Sequence, residues 1–281
     1  MGPRYIKNDG RFYSLHVMDL YSHRVFINPQ RRKDDQAVAL GLIRCWKTMG
    51  IPDFLQVDNE LCFRGSNRYP RSFGIVLRLC LSLGIEVVFI PIGEPWRNGV
   101  VESFNDTYNR KFFRRQWFRN YRQLRSQSKN FELFHNKNHR YSCLKGKTPC
   151  QVIQERADSP VLPPPRFTLS EIDYIPDGTI SLIRFIRSDK KLDIFGEHFE
   201  VPKDLIYSYV RAKIVTSLHQ VQVYTGEDLI TSLPYQLPGW IPPEFLIRVI
   251  DVLTYFLSKI GLSMLWHLPR KSYALTSLCS L

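Results

Sequence analysis

The sequence predicts a mixed α/β domain, with a sheet flanked by helices, in residues 1–157, followed by a small all-β, barrel-like domain in residues 167–240. Three observations predict this order. The first region alternates strand-like and helix-like apolar patterns, a proline-rich linker occupies 158–166, and only short strand patterns follow it. The apolar tail at 241–281 fits neither domain.

The N-terminal elements begin with a β-hairpin. Residues 11–19 and 23–28 are rich in aromatic and β-branched side chains, which favour strands. The turn at 8–10 indicates that a preceding strand ends near 5–7. A helix is expected within 34–50, because an aspartate can cap its start, apolar residues recur at helical spacing, and a glycine ends it.

Two short strands with helices between and after them complete this domain. Residues 53–57 and 86–90 have the apolar pattern of buried strands. A helix is expected over 73–83, where a glycine again follows. The Gly/Pro-rich loop at 91–97 leads into a long polar-aromatic helix that begins near Gly99.

The region after the linker contains short strand patterns separated by turns, which favours a small β-barrel. The predicted strands are 179–187, 191–195, 197–201, 209–215, 220–224 and 228–233.

The formal net charge of +13 over 281 residues is concentrated in the first half of the chain. Residues 1–150 hold 26 Lys and Arg against 12 Asp and Glu, whereas residues 151–281 hold 13 against 14. A hydrophobic content of 44% excludes disorder throughout. The basic half favours a polyanionic partner, nucleic acid first and an acidic membrane second.

Cysteine usage and hydropathy indicate a compartment. The six cysteines form no C-x-x-C pair and no apolar leader begins the chain, so we expect reduced thiols in a cytoplasmic protein, nucleoid-associated if prokaryotic. The most apolar stretch, 244–266, carries four charged residues. Because a spanning helix needs about 20 nearly uncharged residues, we expect no membrane segment.

Two carboxylates are the candidate catalytic and metal-binding residues. Asp58 follows a short apolar strand, and Glu102 lies in the first turn of a predicted helix. Strand ends and helix starts meet at one edge of an α/β sheet, where a cation between two carboxylates relieves their repulsion. Such oxygen ligands suit Mg²⁺ or Mn²⁺. Taken singly, each residue is as well explained as a turn cap or a helix-dipole partner.

A surplus of cations follows Glu102. Residues 103–147 contain 12 Lys and Arg against two acidic residues, with aromatic side chains between them. An ordinary solvated helix face mixes both signs, so the surplus favours contact with a phosphate backbone, although the aromatic residues are expected in the core. The candidate DNA-binding residues are Arg97, Asn98, Asn105, Arg110, Lys111, Arg114, Arg115, Arg119 and Arg122.

Four motifs resemble the catalytic core of retroviral-type integrases and bacterial insertion-sequence transposases. Residues 17–24 (VMDLYSHR) resemble its "D-x-[YF]-S-R" turn, and 56–59 (QVDN) resemble its second-carboxylate strand. Residues 95–105 (PWRNGVVESFN) resemble its "P-x-x-N-G-x-x-E-x-x-N" helix. The HN…HRY…GKTP pattern within 135–149 resembles its closing segment. Each motif is loose alone, and the four in this order are specific.

This resemblance implies a ribonuclease-H-like fold and a DDE transposase mechanism. In that family three carboxylates bind two Mg²⁺ (or Mn²⁺) ions, water cuts a DNA strand, and the freed 3′-hydroxyl attacks target DNA. Asp58 matches the second carboxylate and Glu102 the third. The implied partners are DNA, as element ends and target, and further copies of the chain in a homo-oligomer on DNA. The β-rich region resembles the C-terminal barrel of such transposases.

One family residue has no match. The family's first aspartate falls before Met1, Asp9 lies in a turn, and Asp19 matches a different acidic residue. We therefore expect an N-terminally truncated chain with impaired DNA cleavage and strand transfer. The alternatives are a non-catalytic DNA-binding transposase fragment and a general metal nuclease of the same fold.

A zinc site is a further alternative. His135, His139, Cys143 and Cys150 are four nitrogen or sulfur donors in one stretch. Their spacing is not a common zinc pattern, and the integrase motif already accounts for the histidine-containing segment.

Overall fold

A computed structural model describes residues 3–7, 9–66, 71–156, 158–165, 167–169, 172 and 174–238. The predicted tail at 241–281 lies outside these residues. The strands are β1 Arg4–Ile6, β2 Gly10–Met18, β3 Val25–Gln30, β4 Phe54–Val57, β5 Glu86–Phe89, β6 Thr179–Phe185, β7 Lys191–Ile194, β8 Glu197–Glu200, β9 Tyr209–Val215, β10 Gln220–Thr225 and β11 Asp228–Pro234. The helices are α1 Asp35–Met49, α2 Leu61–Arg64, α3 Ile75–Ser82, α4 Gly99–Lys111, α5 Tyr121–Asn138 and α6 Pro149–Gln154.

The described strands form two main sheets. β1, β2 and β3 pair antiparallel in that order. The larger sheet has the order β11-β10-β9-β6-β5-β4, in which β4, β5 and β6 are parallel and the remaining pairs antiparallel. β7 and β8 form a separate hairpin. The prediction of a mixed α/β fold followed by an antiparallel β region is confirmed, and all six predicted C-terminal strands are present.

The larger sheet crosses the predicted domain boundary. β6 lies beyond the linker, and it pairs with β5 through registers such as Val87 to Ile180 and Phe89 to Leu182. All four of these side chains are buried, so β6 extends the sheet beside β5 and adds to the core. The linker at 158–166 therefore does not mark a break in the sheet.

Hydrophobic side chains form two clusters. The larger packs α1 and α3 against the six-stranded sheet and includes Trp46, Leu79 and Phe89, all nearly inaccessible to solvent. The second packs β1, β2 and β3 against α4 and α5, with Tyr108 and Phe112 at its centre. The basic helices thus have an apolar face fixed on a sheet, which leaves the opposite face for solvent or a ligand.

The helix predicted from near Gly99 begins at that residue, and a bend after Lys111 separates it from a second helix, α5, which the sequence analysis did not distinguish. Phe112 leaves helical geometry at φ −124° and ψ −70°, and the backbone is extended at Gln116. The Asn120 side chain then accepts a hydrogen bond from the backbone N–H of Gln123 and caps α5. An asparagine inside a polar-aromatic pattern did not stand out as a cap, so the bend escaped prediction.

Side chains of α5 fix this helix on the edge of β3 opposite β2. The Asn136 amide donates to the carbonyl of Val25 (2.8 Å) and its Oδ1 accepts from the Val25 N–H (2.9 Å). Glu132 Oε2 accepts from the N–H of Ile27 (2.8 Å). These contacts satisfy backbone groups that a neighbouring strand would otherwise pair. Asn136 and His135 belong to the closing motif, and here both are buried inside the fold.

Two further observations concern hydropathy and thiols. In the described part of the chain, no helix has the length and apolar character needed to cross a bilayer. The five cysteines that the structure describes are free thiols, and Cys45 and Cys80 are buried.

Candidate active site and nucleic-acid interface

The end of β4 is tied to the start of α4 by one glutamine. Leu55 and Val57 of β4 are buried, so Gln56 and the following Asp58 lie on the opposite face of the strand. The Gln56 side-chain amide donates to Asn98 Oδ1 (2.7 Å) and to the carbonyl of Arg97 (3.1 Å). The strand that precedes Asp58 is therefore in contact with the turn that precedes the helix carrying Glu102.

Glu102 lies one helical turn beyond Asn98 and its side chain is exposed. Asn98 precedes α4 with non-helical φ −97° and ψ 20°, and Glu102 lies in the first turn of the helix that follows the Gln56 contact. Asp58 is the next residue on the same face of β4 as Gln56. The segments that lead to the two predicted carboxylates thus meet at the Gln56 contact, and a shared site of Asp58 and Glu102 stays a prediction.

Asp58 is partly buried and carries an unfavourable charge. Burial is the main cause that raises its pKa above the ordinary value, and the nearby Glu60 carboxylate raises it further. The backbone N–H of Glu60 donates to Asp58 Oδ1 (3.1 Å), which partly opposes this effect. Lys33 forms an ion pair with Glu60 at 2.6 Å. A cation bound at Asp58 would relieve the charge that burial disfavours.

The loop after β4 is held by a buried arginine from the C-terminal region. Arg184 Nη2 donates to Asn59 Oδ1 (2.9 Å), and Asn59 Nδ2 donates to the carbonyl of Ile90 (2.8 Å). Arg184 is 4% exposed, and burial lowers its pKa to about 10. Asp193 lies 4.0 Å from its Nε. Sequence reasoning missed Arg184, because an arginine within a strand pattern gives no sign of a contact 125 residues away.

The other acidic residues near the N-terminus have structural partners. Asp9 pairs with Arg31 at 2.5 Å and accepts from the backbone N–H of Tyr121 at the start of α5. Asp19 accepts from the backbone and hydroxyl of Ser22 in the β2–β3 turn. Among the residues that the structure describes, no group of three or more His, Cys, Asp or Glu side chains is arranged to hold a metal ion.

The number and kind of ligand atoms decide how many metal ions a site can bind. Asp58 and Glu102 supply two hard oxygen ligands, and Mg²⁺ is commonly held by one or two carboxylates with water completing its shell. Asp58 and Glu102 are therefore ligands of the kind that Mg²⁺ uses, and their joint binding of one ion is left to the proposal below. They do not provide the three carboxylates that the resemblance implies for two ions.

Three of the four candidate zinc ligands, His135, His139 and Cys143, contact other side chains. His135 Nε2 lies 2.8 Å from the Tyr141 hydroxyl, and its ring stacks on that of His139 at 4.6 Å. Burial and the neighbouring His139 lower the pKa of His135 to about 4. The Cys143 thiol lies 3.6 Å from His23 Nε2. These contacts account for the two histidines and Cys143 without a metal.

The predicted DNA-binding residues differ in their surroundings. Arg97 pairs with Glu94 at 2.7 Å and lies 4.7 Å from the Tyr209 ring centroid. Asn105 Oδ1 lies 2.7 Å from His16 Nδ1, in a half-buried contact that joins α4 to β2. Asn98 accepts from Gln56, as described above. These three side chains already serve packing, so their contact with DNA stays a prediction.

The remaining predicted cations are exposed. Arg110 pairs with Asp106 at 2.7 Å. Within the described residues, no carboxylate lies in ion-pair range of the other five, which are Lys111, Arg114, Arg115, Arg119 and Arg122. We define these five together with Arg125 as the basic surface. Arg125 is exposed one turn beyond Arg122 and extends this surface along α5, although the sequence analysis did not single it out.

Replacing Asp58 by asparagine should stabilise the fold at neutral pH. The pKa of Asp58 is raised in the folded chain, so ionisation costs stability as pH rises from the unfolded value of about 3.8 through the higher folded value. The variant Asp58→Asn should therefore unfold at higher urea concentration than the unmodified chain at pH 7, with no advantage below about pH 3. Urea unfolding at both values measures this. Equal stability at pH 7 would contradict the unfavourable charge.

The fold defines a mixed α/β protein in which a six-stranded mixed sheet is flanked by helices. Residues 83–149 match the family model described as integrase core domain. The resemblance to an integrase or transposase catalytic core is thus confirmed over the segment that contains Glu102 and the basic surface.

Two of the solved structures that are similar to this chain show the range of coverage. One is the simian T-cell lymphotropic virus intasome in complex with PP2A regulatory subunit B56 gamma, at 16% identity and TM-score 0.43, covering 84% of this chain and 74% of that one. The other is the catalytic core domain of BIV integrase, at 18% identity and TM-score 0.38, covering 55% of this chain and 91% of that one. A comparison with curated protein sequences finds no match.

Proposed function

We propose that this chain binds DNA through the basic surface and acts in DNA integration or transposition, with Asp58 and Glu102 as its catalytic, metal-binding carboxylates. The observation that carries the proposal is that α4 connects the turn in contact with β4, at its start, to the basic surface, which begins at its last residue. The integrase core match over residues 83–149 supports the same activity.

Each part of the site has a distinct task in this proposal. The basic surface binds the phosphate backbone and sets its position. Gln56 of β4 holds the segment that leads to Glu102, and Arg184 of β6 holds the loop that follows Asp58. A Mg²⁺ or Mn²⁺ ion held by Asp58 and Glu102 would supply activation of water and stabilisation of the leaving oxygen.

Activity should be low. Asp58 and Glu102 match two of the three carboxylates that the resemblance implies, and the charge balance of phosphodiester cleavage depends on the complete set. This same observation favours a second candidate function, a non-catalytic DNA-binding fragment that occupies DNA without cutting it. The proposal also includes a homo-oligomer, in which further copies of the chain on DNA bring element ends and target together.

Replacing Glu102 by glutamine separates the two candidates. In the first, Glu102→Gln removes Mg²⁺- or Mn²⁺-dependent nicking of a supercoiled plasmid and leaves affinity for a short duplex within about twofold, because glutamine keeps the shape and loses the charge. Plasmid nicking and fluorescence anisotropy measure the two properties on the same preparations.

The control variant is Glu227→Gln, which removes an exposed carboxylate of the C-terminal region and should change neither property. If the unmodified chain binds DNA and no metal-dependent nicking is found, the second candidate is supported. If Glu102→Gln nicks as fast as the unmodified chain, the catalytic assignment fails.

A further inference from the structure

The bend between α4 and α5 carries the most exposed large apolar side chain of the described residues. Trp117 is 83% exposed, although an indole usually gains stability by burying its large ring. The neighbouring aromatic residues behave differently, since Phe112 and Phe118 are buried in the second hydrophobic cluster. Packing within the fold therefore explains those two and leaves Trp117 unexplained.

The residues on both sides of Trp117 in the chain are held by contacts within the fold. The Phe113 and Phe118 rings on either side of it stack at 5.7 Å with an interplanar angle of 11°. On its C-terminal side, the backbone N–H of Arg119 donates to Gln123 Oε1 (2.7 Å), and Asn120 caps α5. A ligand that contacts the indole would meet a ring whose backbone is already ordered, which lowers the entropic cost of binding.

The charged side chains around Trp117 are all positive, which favours a negatively charged ligand. Residues 107–131 contain eight Lys and Arg and no Asp or Glu. Arg114, Arg115 and Arg119 are exposed within three residues of the tryptophan. Lys7 Nζ lies 5.8 Å from the indole ring centroid. An aromatic ring among cations of one sign matches the two parts of an unpaired nucleotide, whose base has a π face and whose phosphate is negative.

We propose that Trp117 stacks on an unpaired base of bound DNA, while Arg114, Arg115, Arg119 and Lys7 contact the adjacent phosphates. The indole cannot stack on a base inside an intact duplex, so this site would favour single-stranded tails or frayed ends over continuous duplex. The proposal rests on the proposed function in taking DNA as the partner, and it adds a feature of that DNA.

The test compares three DNA probes that differ only at one end. They are a short blunt duplex, the same duplex with a single-stranded thymidine tail, and the same duplex with a tail of equal length made of abasic sites. The abasic tail keeps every phosphate and removes the bases, so it separates stacking from charge. Full-length chain is titrated by fluorescence anisotropy, and quenching of tryptophan emission is followed in parallel.

The unmodified chain should bind the thymidine tail about tenfold more tightly than the abasic tail, with quenching of tryptophan emission. Trp117→Ala should remove this difference and leave affinity for the blunt duplex within about twofold, whereas Trp117→Phe should keep part of it. The matched control is Phe134→Ala, which removes another exposed aromatic side chain (66% exposed) from α5 and should keep the preference.

The outcomes separate the two proposals. Binding of all three probes with the same affinity, or a preference that Trp117→Ala retains, would overturn stacking and leave DNA binding intact. Failure to bind any probe at low salt would overturn the proposed function, and stacking with it. A preference lost in Trp117→Ala and kept in Phe134→Ala supports the assignment.

Discussion

Duplex DNA should bind this chain about a thousandfold more weakly in about 200 mM salt than in about 50 mM salt. The basic surface has six exposed cations without a carboxylate partner among the described residues, and each phosphate that a cation contacts releases counterions. Six such contacts give a slope of about −5 for the logarithm of affinity against the logarithm of salt concentration. Fluorescence anisotropy over a salt series measures this slope directly.

Removing three of these charges should reduce the slope by about three. The triple variant Arg114→Gln, Arg115→Gln, Arg119→Gln tests this, because all three side chains are exposed and none closes an ion pair within the described structure. Its matched control is Arg187→Gln, Lys191→Gln, Lys203→Gln, which removes three exposed cations of the C-terminal region. Equal slopes for the two triple variants would show that net charge alone, and not the basic surface, binds DNA.

Replacing Asn136 by alanine should lower the free energy of unfolding by about 3 kcal/mol. Its side chain pairs both the N–H and the carbonyl of Val25, and it is 5% exposed. Alanine would leave two buried backbone groups without a partner, and each such group costs about 1–3 kcal/mol. Urea unfolding measures the loss, and the midpoint temperature should fall by roughly 6–12 °C for a folded unit of this size.

The same helix provides a matched control. Asn130 of α5 is exposed, and the change Asn130→Ala should shift stability by less than about 0.5 kcal/mol, since alanine is the better helix former. If Asn136→Ala were as stable as Asn130→Ala, the contact of α5 with the β3 edge would not hold the helix. Because α5 carries part of the basic surface, Asn136→Ala should also weaken duplex binding.

The closing motif illustrates which features the sequence explains and which only the structure explains. The pattern around His135 and Asn136 supports the resemblance to integrase cores, and the motif by itself does not say what these residues do. In the structure Asn136 pairs with the edge of β3 and His135 contacts Tyr141. Their role in this fold is to fix α5, which places the basic surface. A motif residue can thus contribute to function by positioning another element of the fold, and it need not contact a ligand itself.

The site was predictable to the extent that its signals are local. A carboxylate at a strand end, a carboxylate in a first helical turn and a run of cations after it can each be read from neighbouring residues. The bend that exposes Trp117 was not predicted, because its cap and extended backbone resemble a continuous polar-aromatic helix in sequence. Arg184 was missed because its partner Asn59 lies in another part of the chain.

The sequence by itself determined the alternation of strands and helices up to the start of α4, the six C-terminal strands, the two candidate carboxylates and the sign of the charge that follows them. These properties follow from side-chain periodicity, turn residues and composition, which act over a few residues. Only the tertiary structure decided that β6 joins β5 across the proline-rich linker, that Arg184 holds the loop after Asp58, and that Trp117 stands exposed. The physical reason is that strand pairing and burial satisfy hydrogen bonds and apolar surface between segments far apart in the chain, where no local pattern specifies the partner.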